Sequence, residues 1–238
     1  MPSLATTRIA ETGEPSLLAE RWERLHAQAR YCPRYPDEPV VRFALTSFPD
    51  RSEAPRALDL GCGAGRHALF LAEEGFETFA VDVSRAGVET AVRRAADRNL
   101  DVGVVVAGVD SFELPADFFD AVLCNAVYCY LPMERIAASI ERVLRTLRPG
   151  GRFLCVTRSD QDWRAGYGTA TGPSRMRLSG LDDDTPGAAE DGMEMTFLTE
   201  QDLSELFACF SELRIDRRRV TTGGGRFADD DWLVTATR

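Results

Sequence analysis

The chain has 238 residues, of which 44% are hydrophobic and 28% are charged, and this length suits one α/β domain with a filled core. Its formal net charge of -10 at pH 7 opposes broad contact with nucleic-acid phosphates or with an anionic membrane surface, so neither partner is expected. The N-terminus lacks an apolar signal segment and no stretch approaches ~18 uncharged apolar residues, which together favour a soluble, cytoplasmic protein.

The first 50 residues predict two helices after a polar start. Residues 1–15 are polar and show no periodicity, which predicts disorder. Ser16 is suited to cap a helix with one apolar side, and His26 near the end of that helix is expected to face solvent. A second short helix through residues 40–44 leads into the first strand. These N-terminal helices, within residues 16–50, are expected to fold over the edge of the sheet that follows.

Short apolar runs alternate with amphipathic helical patterns from residue 56 to residue 157. Five such repeats, one of which has the β-branched run Val102–Val106 as its strand, predict a mostly parallel sheet with helices on both faces. Near the C-terminus, two alternating runs, Leu213 to Thr221 and Trp232 to Thr237, flank the turn Gly223-Gly224-Gly225, which predicts an antiparallel hairpin. The predicted fold class is therefore α/β, with a doubly wound, mostly parallel seven-stranded sheet that ends in this C-terminal antiparallel hairpin.

The segment 159–196 differs in composition from the rest of the chain, with six glycines, two prolines and weak periodicity. A connection of this length between elements is normally a functional lid or a disordered segment. It is interpreted as a lid-like insertion within a single domain that covers residues 1–238.

Six cysteines are scattered along the chain without the CxxC spacing of a metal site. Only two histidines accompany them, so a Cys/His zinc site is not expected and no metal site is predicted. The cysteines are interpreted as small buried hydrophobic residues in a reducing compartment. They are Cys32, Cys62, Cys124, Cys129, Cys155 and Cys209.

The segment Arg56–Ser84 has the order strand, glycine-rich loop, helix and second strand, and the second strand ends at an acid. Gly61 and Gly63 permit a tight turn at which the backbone approaches a ligand closely, and Asp82 can accept hydrogen bonds from both ribose hydroxyls. The pattern predicts a nucleoside-binding βαβ unit. Its glycine spacing, G-x-G-x-G, differs from the G-x-G-x-x-G of dinucleotide-binding folds.

Asp59 indicates which nucleoside is expected. It ends the first strand, beside the position at which the pyrophosphate of a dinucleotide would rest, and a carboxylate there is electrostatically unfavourable. S-adenosylmethionine has no pyrophosphate and carries an ammonium and a sulfonium, so an acid at this position favours it. An NAD-dependent oxidoreductase is therefore the less favoured alternative.

These features resemble those of the class I S-adenosylmethionine-dependent methyltransferases, with a looser likeness to a bacterial small-molecule type. The resemblance covers most of residues 56–238 and depends on the order of five motifs. They are ALDLGCGAGRHALFLA, FAVDVS, GVDSFELP, FDAVLCNAVYCYLP and LRPGGRFL. The resemblance implies a Rossmann-like methyltransferase that uses S-adenosylmethionine, releases S-adenosylhomocysteine, and methylates a small molecule on an O, N, S or C atom.

The resemblance also implies a set of cofactor contacts. The glycines of the loop should line the methionine part with Asp59 nearby, and Asp82 should bind the ribose. Asp110 matches the position that accepts a hydrogen bond from the adenine amino group, and Asn125 ends the strand at which cofactor and acceptor meet. The full predicted cofactor-binding set is Asp59, Gly61, Gly63, Gly65, Asp82, Asp110, Ser111, Asn125, Arg34 and Tyr35.

Several side chains have two interpretations each. Arg34 and Tyr35 either close over the cofactor carboxylate or form an exposed turn. A general base is needed only for a poor nucleophile, and Tyr128, His67 and Asp160 are the catalytic candidates. The alternative role of Tyr128 is packing, and that of His67 is a position on the helix surface. Four residues of the lid-like insertion are candidates to contact the acceptor, namely Trp163, Tyr167, Arg175 and Arg177.

The motifs leave two further alternatives open. A non-methylating or non-catalytic protein that binds S-adenosylmethionine would carry the same cofactor motifs. The oligomeric state is also open, with a homodimer as one option beside the monomer.

Overall fold

The structure, a computed structural model, describes residues 16–111 and 114–238. The disorder predicted for residues 1–15 lies outside the described residues. Within the two described ranges, no helix is both long enough and apolar enough to cross a membrane.

Two helices precede the sheet, α1 at Leu17–His26 and α2 at Glu38–Ser47. The Ser16 hydroxyl accepts a hydrogen bond from the N–H of Ala19 at 3.2 Å, which confirms the predicted helix cap. His26 is only 9% exposed, because α1 packs on the carboxyl end of the sheet with this side chain turned inward. The prediction that His26 faces solvent is therefore wrong.

The parallel part of the main sheet contains β1 (Arg56–Leu60), β2 (Glu77–Asp82), β3 (Val102–Val106), β4 (Phe119–Asn125) and β5 (Leu147–Arg158). Helices follow β1, β2 and β4, namely α3 (Arg66–Glu73), α4 (Arg85–Asp97) and α5 (Met133–Thr146). The described part of the connection from β3 to β4 contains no helix, so one of the five predicted repeats lacks its helix.

Residues 159–196 contain a second, separate sheet of three short antiparallel strands. These are β6 (Thr169–Gly172), β7 (Arg175–Arg177) and β8 (Glu194–Thr196). Buried apolar side chains of this segment, such as Leu178 and Met195, pack against Tyr130, which follows β4, and against Leu25 of α1. The segment is therefore an ordered layer beside the carboxyl end of the main sheet.

The chain ends with α6 (Glu200–Leu206), β9 (Glu212–Thr222) and β10 (Phe227–Thr237). β10 pairs antiparallel with both β5 and β9, so the main sheet has the order β3-β2-β1-β4-β5-β10-β9. This order confirms the predicted doubly wound seven-stranded sheet with its C-terminal hairpin.

The centre of the main sheet is buried on both faces. Every residue of β4 is buried, because the strand lies between β1 and β5 and is covered on both sides. Five of the cysteines are buried, as predicted, whereas Cys209 is exposed. The order of the strands reverses between β1 and β4, and a crevice is expected at the carboxyl ends of these two strands.

Candidate functional site

A cavity of about 270 Å³ opens at the carboxyl ends of β1, β2 and β4. One wall consists of the glycine-rich loop after β1 together with Asp82 and Asn125. The opposite wall consists of α1 and the segment before α2, and it includes Trp22, His26 and Tyr31. The cavity therefore lies where open α/β sheets bind their ligands.

The loop between β1 and α3 uses glycine for two different purposes. Gly61 and Gly63 have φ values of 74° and 52°, which other residues rarely adopt, and both line the cavity. Gly65 lies behind the cavity, where a Cβ atom would approach the Cβ of Ala91 in α4 to 2.7 Å. The structure thus brings Gly61 and Gly63 to the cavity and places Gly65 in the packing against α4.

Asp82 ends β2 and holds the loop in place. Its Oδ2 accepts a hydrogen bond from the N–H of Gly63 at 2.7 Å, and its Oδ1 accepts one from the N–H of Ser84 at 2.8 Å. Burial raises the pKa of this carboxyl, although His26 and the two N–H groups act against the increase. A carboxylate oxygen can accept a second hydrogen bond, so Asp82 still presents acceptor capacity to the cavity.

Asp59 lies at the end of β1, behind the loop, and is 1% exposed. Its Oδ2 accepts a hydrogen bond from the N–H of Ala68 at 3.1 Å, while its Oδ1 has no partner among the described residues. Burial raises the pKa of the carboxyl to about 7. Asp59 does not line the cavity, so a cation bound there would reach it through the loop or a bridging water.

Asp110 lies outside the cavity and is already engaged by an arginine. The guanidinium of Arg135 in α5 donates hydrogen bonds to both carboxylate oxygens, at 2.5 and 2.8 Å, and lowers the pKa of Asp110. Arg135 itself lines the cavity beside Val109. Ser111 is exposed and its hydroxyl donates to the carbonyl of Gly108. An adenine amino group would therefore have to share Asp110 with Arg135.

Asn125, at the end of β4, belongs to a polar cluster with the start of α2. Its Nδ2 donates to Asp37 Oδ2 at 3.0 Å, and Arg66 donates to both oxygens of the same carboxylate at 3.2 and 2.9 Å. The backbone N–H of Asp37 donates to His67 Nε2 at 3.4 Å. Burial lowers the pKa of His67 to about 3, so its imidazole is neutral near pH 7.

Four further predicted residues lie outside the cavity. Arg34 and Tyr35 are exposed in the segment before α2, with Tyr35 at 78%. Tyr128 is fully buried, and its hydroxyl shares a hydrogen bond with Ser139 Oγ at 2.9 Å. Asp160 is exposed beyond the end of β5. In this conformation none of the four side chains reaches a ligand in the cavity.

The four acceptor-contact candidates in residues 159–196 also lie away from the cavity. Trp163 Nε1 donates to Asp229 at 3.1 Å, and the Trp163 ring meets Tyr167 edge to face. Arg175 and Arg177 both form ion pairs with Glu194, on the neighbouring strand. The two arginines thus contact the small sheet, whereas Trp163 contacts β10 of the main sheet.

Sequence reasoning missed the aromatic side of α1. Trp22 and His26 stack with ring centroids 5.3 Å apart, and Trp22 meets Tyr130 edge to face at 5.0 Å. The Nδ1 of His26 is buried without a partner among the described residues. The available signal was the four-residue spacing of Leu18, Trp22 and His26, which places all three on one helical face.

Glu23 holds α1 against the sheet. Its carboxylate accepts hydrogen bonds from the Ser84 hydroxyl at 2.8 Å and from the N–H of Ala86 at 3.0 Å, at the beginning of α4. On the other side of α1, Arg21 donates to the carbonyls of Ala189 and Asp191 in the insertion. The helix therefore connects the beginning of α4 to residues 159–196.

Comparisons with known proteins agree with this architecture. Residues 57–151 match a family described as "Methyltransferase domain". The chain is 33% identical over 105 residues to Hemagglutinin 1 of Eikenella corrodens, covering 44% of this chain and 35% of that protein. It is 31% identical over 159 residues to a ubiquinone biosynthesis O-methyltransferase of Caulobacter vibrioides, covering 60% of this chain and 59% of that protein.

The chain thus spans 35% and 59% of the lengths of these two curated relatives. A solved structure with a similar fold is Burkholderia thailandensis 1,6-didemethyltoxoflavin-N1-methyltransferase, with bound 1,6-didemethyltoxoflavin and S-adenosylhomocysteine. Its TM-score is 0.66 at 18% identity, and the match covers 98% of this chain and 93% of that one. This likeness concerns the fold.

Proposed function

We propose that the chain is a class I S-adenosylmethionine-dependent methyltransferase, which transfers a methyl group from S-adenosylmethionine to a small molecule. The observation that carries the proposal is the cavity in which the loop of Gly61 and Gly63, held by Asp82, faces α1. The O-methyltransferase name of one relative and the ligand 1,6-didemethyltoxoflavin of a structural neighbour support a small-molecule acceptor.

The residues present fit this cofactor, and we assign its parts accordingly. The glycine loop would hold the methionine part, with the unpartnered oxygen of Asp59 behind it. Asp82 would accept hydrogen bonds from the ribose hydroxyls. The adenine would lie at the end of the cavity formed by Val109 and Arg135.

When bound, S-adenosylmethionine supplies an electrophilic methyl group, so the chain mainly has to position two reactants. Holding reactants in near-attack geometry supplies on the order of 7–11 kcal/mol. We propose that α1, which Arg21 attaches to the lid-like insertion 159–196, excludes water from the cavity. Among the three general-base candidates, His67 lines the cavity, whereas Tyr128 and Asp160 do not. The pKa of His67 is lowered to about 3, so its imidazole is a weak base that takes up no proton near pH 7.

Thermal unfolding with added ligands tests the cofactor assignment. We expect S-adenosylhomocysteine at a hundred times its Kd to stabilise the protein by about 2.7 kcal/mol, and NAD at the same concentration to have no effect. Stabilisation by NAD without stabilisation by S-adenosylhomocysteine would instead support an oxidoreductase.

Incubation with methyl-labelled S-adenosylmethionine and fractionated metabolites tests the reaction. We expect label in at least one low-molecular-weight product. Cofactor binding without any labelled product would favour a non-methylating protein that keeps the fold.

A further inference from the structure

The side-chain amide of Asn125 has a defined orientation. Its Nδ2 donates to Asp37 Oδ2 at 3.0 Å, and because an ionised carboxylate only accepts hydrogen bonds, the nitrogen must face Asp37. The Oδ1 atom therefore points the other way, and it is buried without a partner among the described residues. Asn125 is 9% exposed and lines the cavity. This oxygen is an acceptor for which the described chain supplies no donor.

Asp37 is held so that it keeps the amide in this orientation. It precedes the first residue of α2, where an aspartate normally caps its own helix, yet its side chain makes no such cap bond. The carboxylate instead receives two hydrogen bonds from Arg66, and the backbone N–H is fixed by His67. Although burial opposes ionisation of Asp37, Arg66 and the other neighbouring groups lower its pKa overall.

We propose that Asp37 is a positioning residue, which orients Asn125 so that its Oδ1 accepts a hydrogen bond from an N–H or O–H group of the bound ligand. This inference rests on the proposed function. An amide oxygen takes up no proton near pH 7, so Asn125 orients the donor and does not act as a base. Two sources supply such a donor, the ammonium of the cofactor and the N–H or O–H at which an acceptor is methylated.

The substitution D37L tests the orientation, because it removes the acceptor for Asn125 Nδ2 and leaves the amide free to turn. D37N is the conservative variant. Oδ2 of Asp37 accepts from both Asn125 and Arg66, whereas Oδ1 accepts from Arg66 alone. The amide introduced by D37N therefore keeps its oxygen at the Oδ2 position and continues to hold the Asn125 amide.

The first measurement is calorimetry with S-adenosylhomocysteine, which tests the ammonium of the cofactor as the donor. The second measurement uses the protein saturated with S-adenosylhomocysteine and compares the weak binding of phenol and aniline with that of toluene, which has no O–H or N–H group. It tests the acceptor molecule as the source of the donor. We expect D37L to weaken one of these two interactions about 10-fold or more and D37N to keep most of the wild-type binding. The control is E38Q, which removes the neighbouring exposed charge that pairs with Arg42.

Unfolding midpoints and the side-chain amide NMR signal of Asn125 accompany the binding measurements. Weakened binding in D37L, together with near wild-type binding in D37N, supports the proposal even if both variants lose stability. If D37L matches E38Q in both binding arms, or if D37N binds no better than D37L, the proposal is overturned. A wild-type protein that fails to bind S-adenosylhomocysteine would contradict the proposed function instead.

Discussion

Two buried carboxyl groups flank the glycine loop, and they differ in how their oxygens are paired. Both oxygens of Asp82 accept backbone hydrogen bonds, whereas one oxygen of Asp59 has no partner in the described chain. Burial raises the pKa of both groups. Asp59 therefore carries a desolvation cost that the hydrogen bond from Ala68 N–H offsets only in part.

We expect D59N to stabilise the ligand-free protein more at pH 8 than at pH 5. The folded-state pKa is about 7 against an ordinary 3.8, so the cost of burying Asp59 grows as pH rises from about 4 to about 7 and is constant above. The gain should differ between the two pH values by on the order of 2–3 kcal/mol. Urea unfolding of both proteins measures it, and an equal gain at pH 5 and pH 8 would show that the pKa is not raised.

We expect D82A to weaken binding of S-adenosylhomocysteine by about 1–3 kcal/mol and also to destabilise the fold by a similar amount. The stability effect follows because the N–H groups of Gly63 and Ser84 lose their acceptor. Calorimetry and urea unfolding measure the two effects. D50A, which removes an exposed carboxylate that accepts from Ser52, is the control and should leave binding unchanged. Unchanged binding in D82A would mean that the ribose is held elsewhere.

At the scale of elements, α1 is part of the cavity although it precedes the sheet in the chain. Trp22 and His26 line the cavity, and Glu23 on the same helix binds the beginning of α4. A carboxylate at the beginning of a helix is favoured by the unpaired N–H groups and the helix dipole. One turn of α1 therefore both covers the ligand site and supplies its own attachment.

We expect E23A to lower the affinity for S-adenosylhomocysteine about 10-fold, because the attachment of α1 to Ser84 and Ala86 is lost, at a cost of about 1–2 kcal/mol. Hydrogen exchange should show faster exchange in α1 and little change in β1 and β4. The matched control on the same helix is E20A, whose carboxylate is exposed and 3.9 Å from Arg24. Equal affinities of E23A and E20A would contradict this role of Glu23.

At the scale of the whole molecule, a buried ionic cluster joins residues 159–196 to the last strand of the main sheet. The Arg164 side chain is 6% exposed and pairs with Asp162, Glu190 and Asp229 at 3.0, 2.6 and 2.8 Å. Glu190 in turn accepts from the hydroxyl of Tyr130, which lines the cavity. The insertion is thus connected to both β10 and the site.

We expect R164M to destabilise the protein by about 3–5 kcal/mol, because it leaves buried carboxylates with one cation fewer. The control R177M removes an exposed partner of Glu194 and should cost about 1 kcal/mol or less. Urea unfolding measures both. A cost for R164M no larger than that for R177M would show that the cluster does not hold the insertion in place.

Local sequence patterns were sufficient to predict the bounds of strands that are continuous apolar runs. The apolar run Val102–Val106 is β3 at its predicted bounds, and β2 ends at Asp82 as predicted. The prediction of β10 from Trp232 onward missed its start at Phe227, because three consecutive aspartates argue against a strand. Arginines on the two neighbouring strands neutralise these aspartates and make the strand possible. Arg217 pairs with Asp230, and Asp231 pairs with both Arg158 and Arg218.

The sequence by itself determined the alternation of strands and helices, the glycine turn of Gly61 and Gly63, and the acid at the end of β2, because these depend on periodicity and backbone conformation along a short stretch. Only the tertiary structure decided which distant side chains meet at the cavity. Asp37 contacts Asn125 across 88 positions, and Glu23 contacts Ser84 across 61. Such pairs are set by how helices pack on the sheet, and no local spacing encodes them.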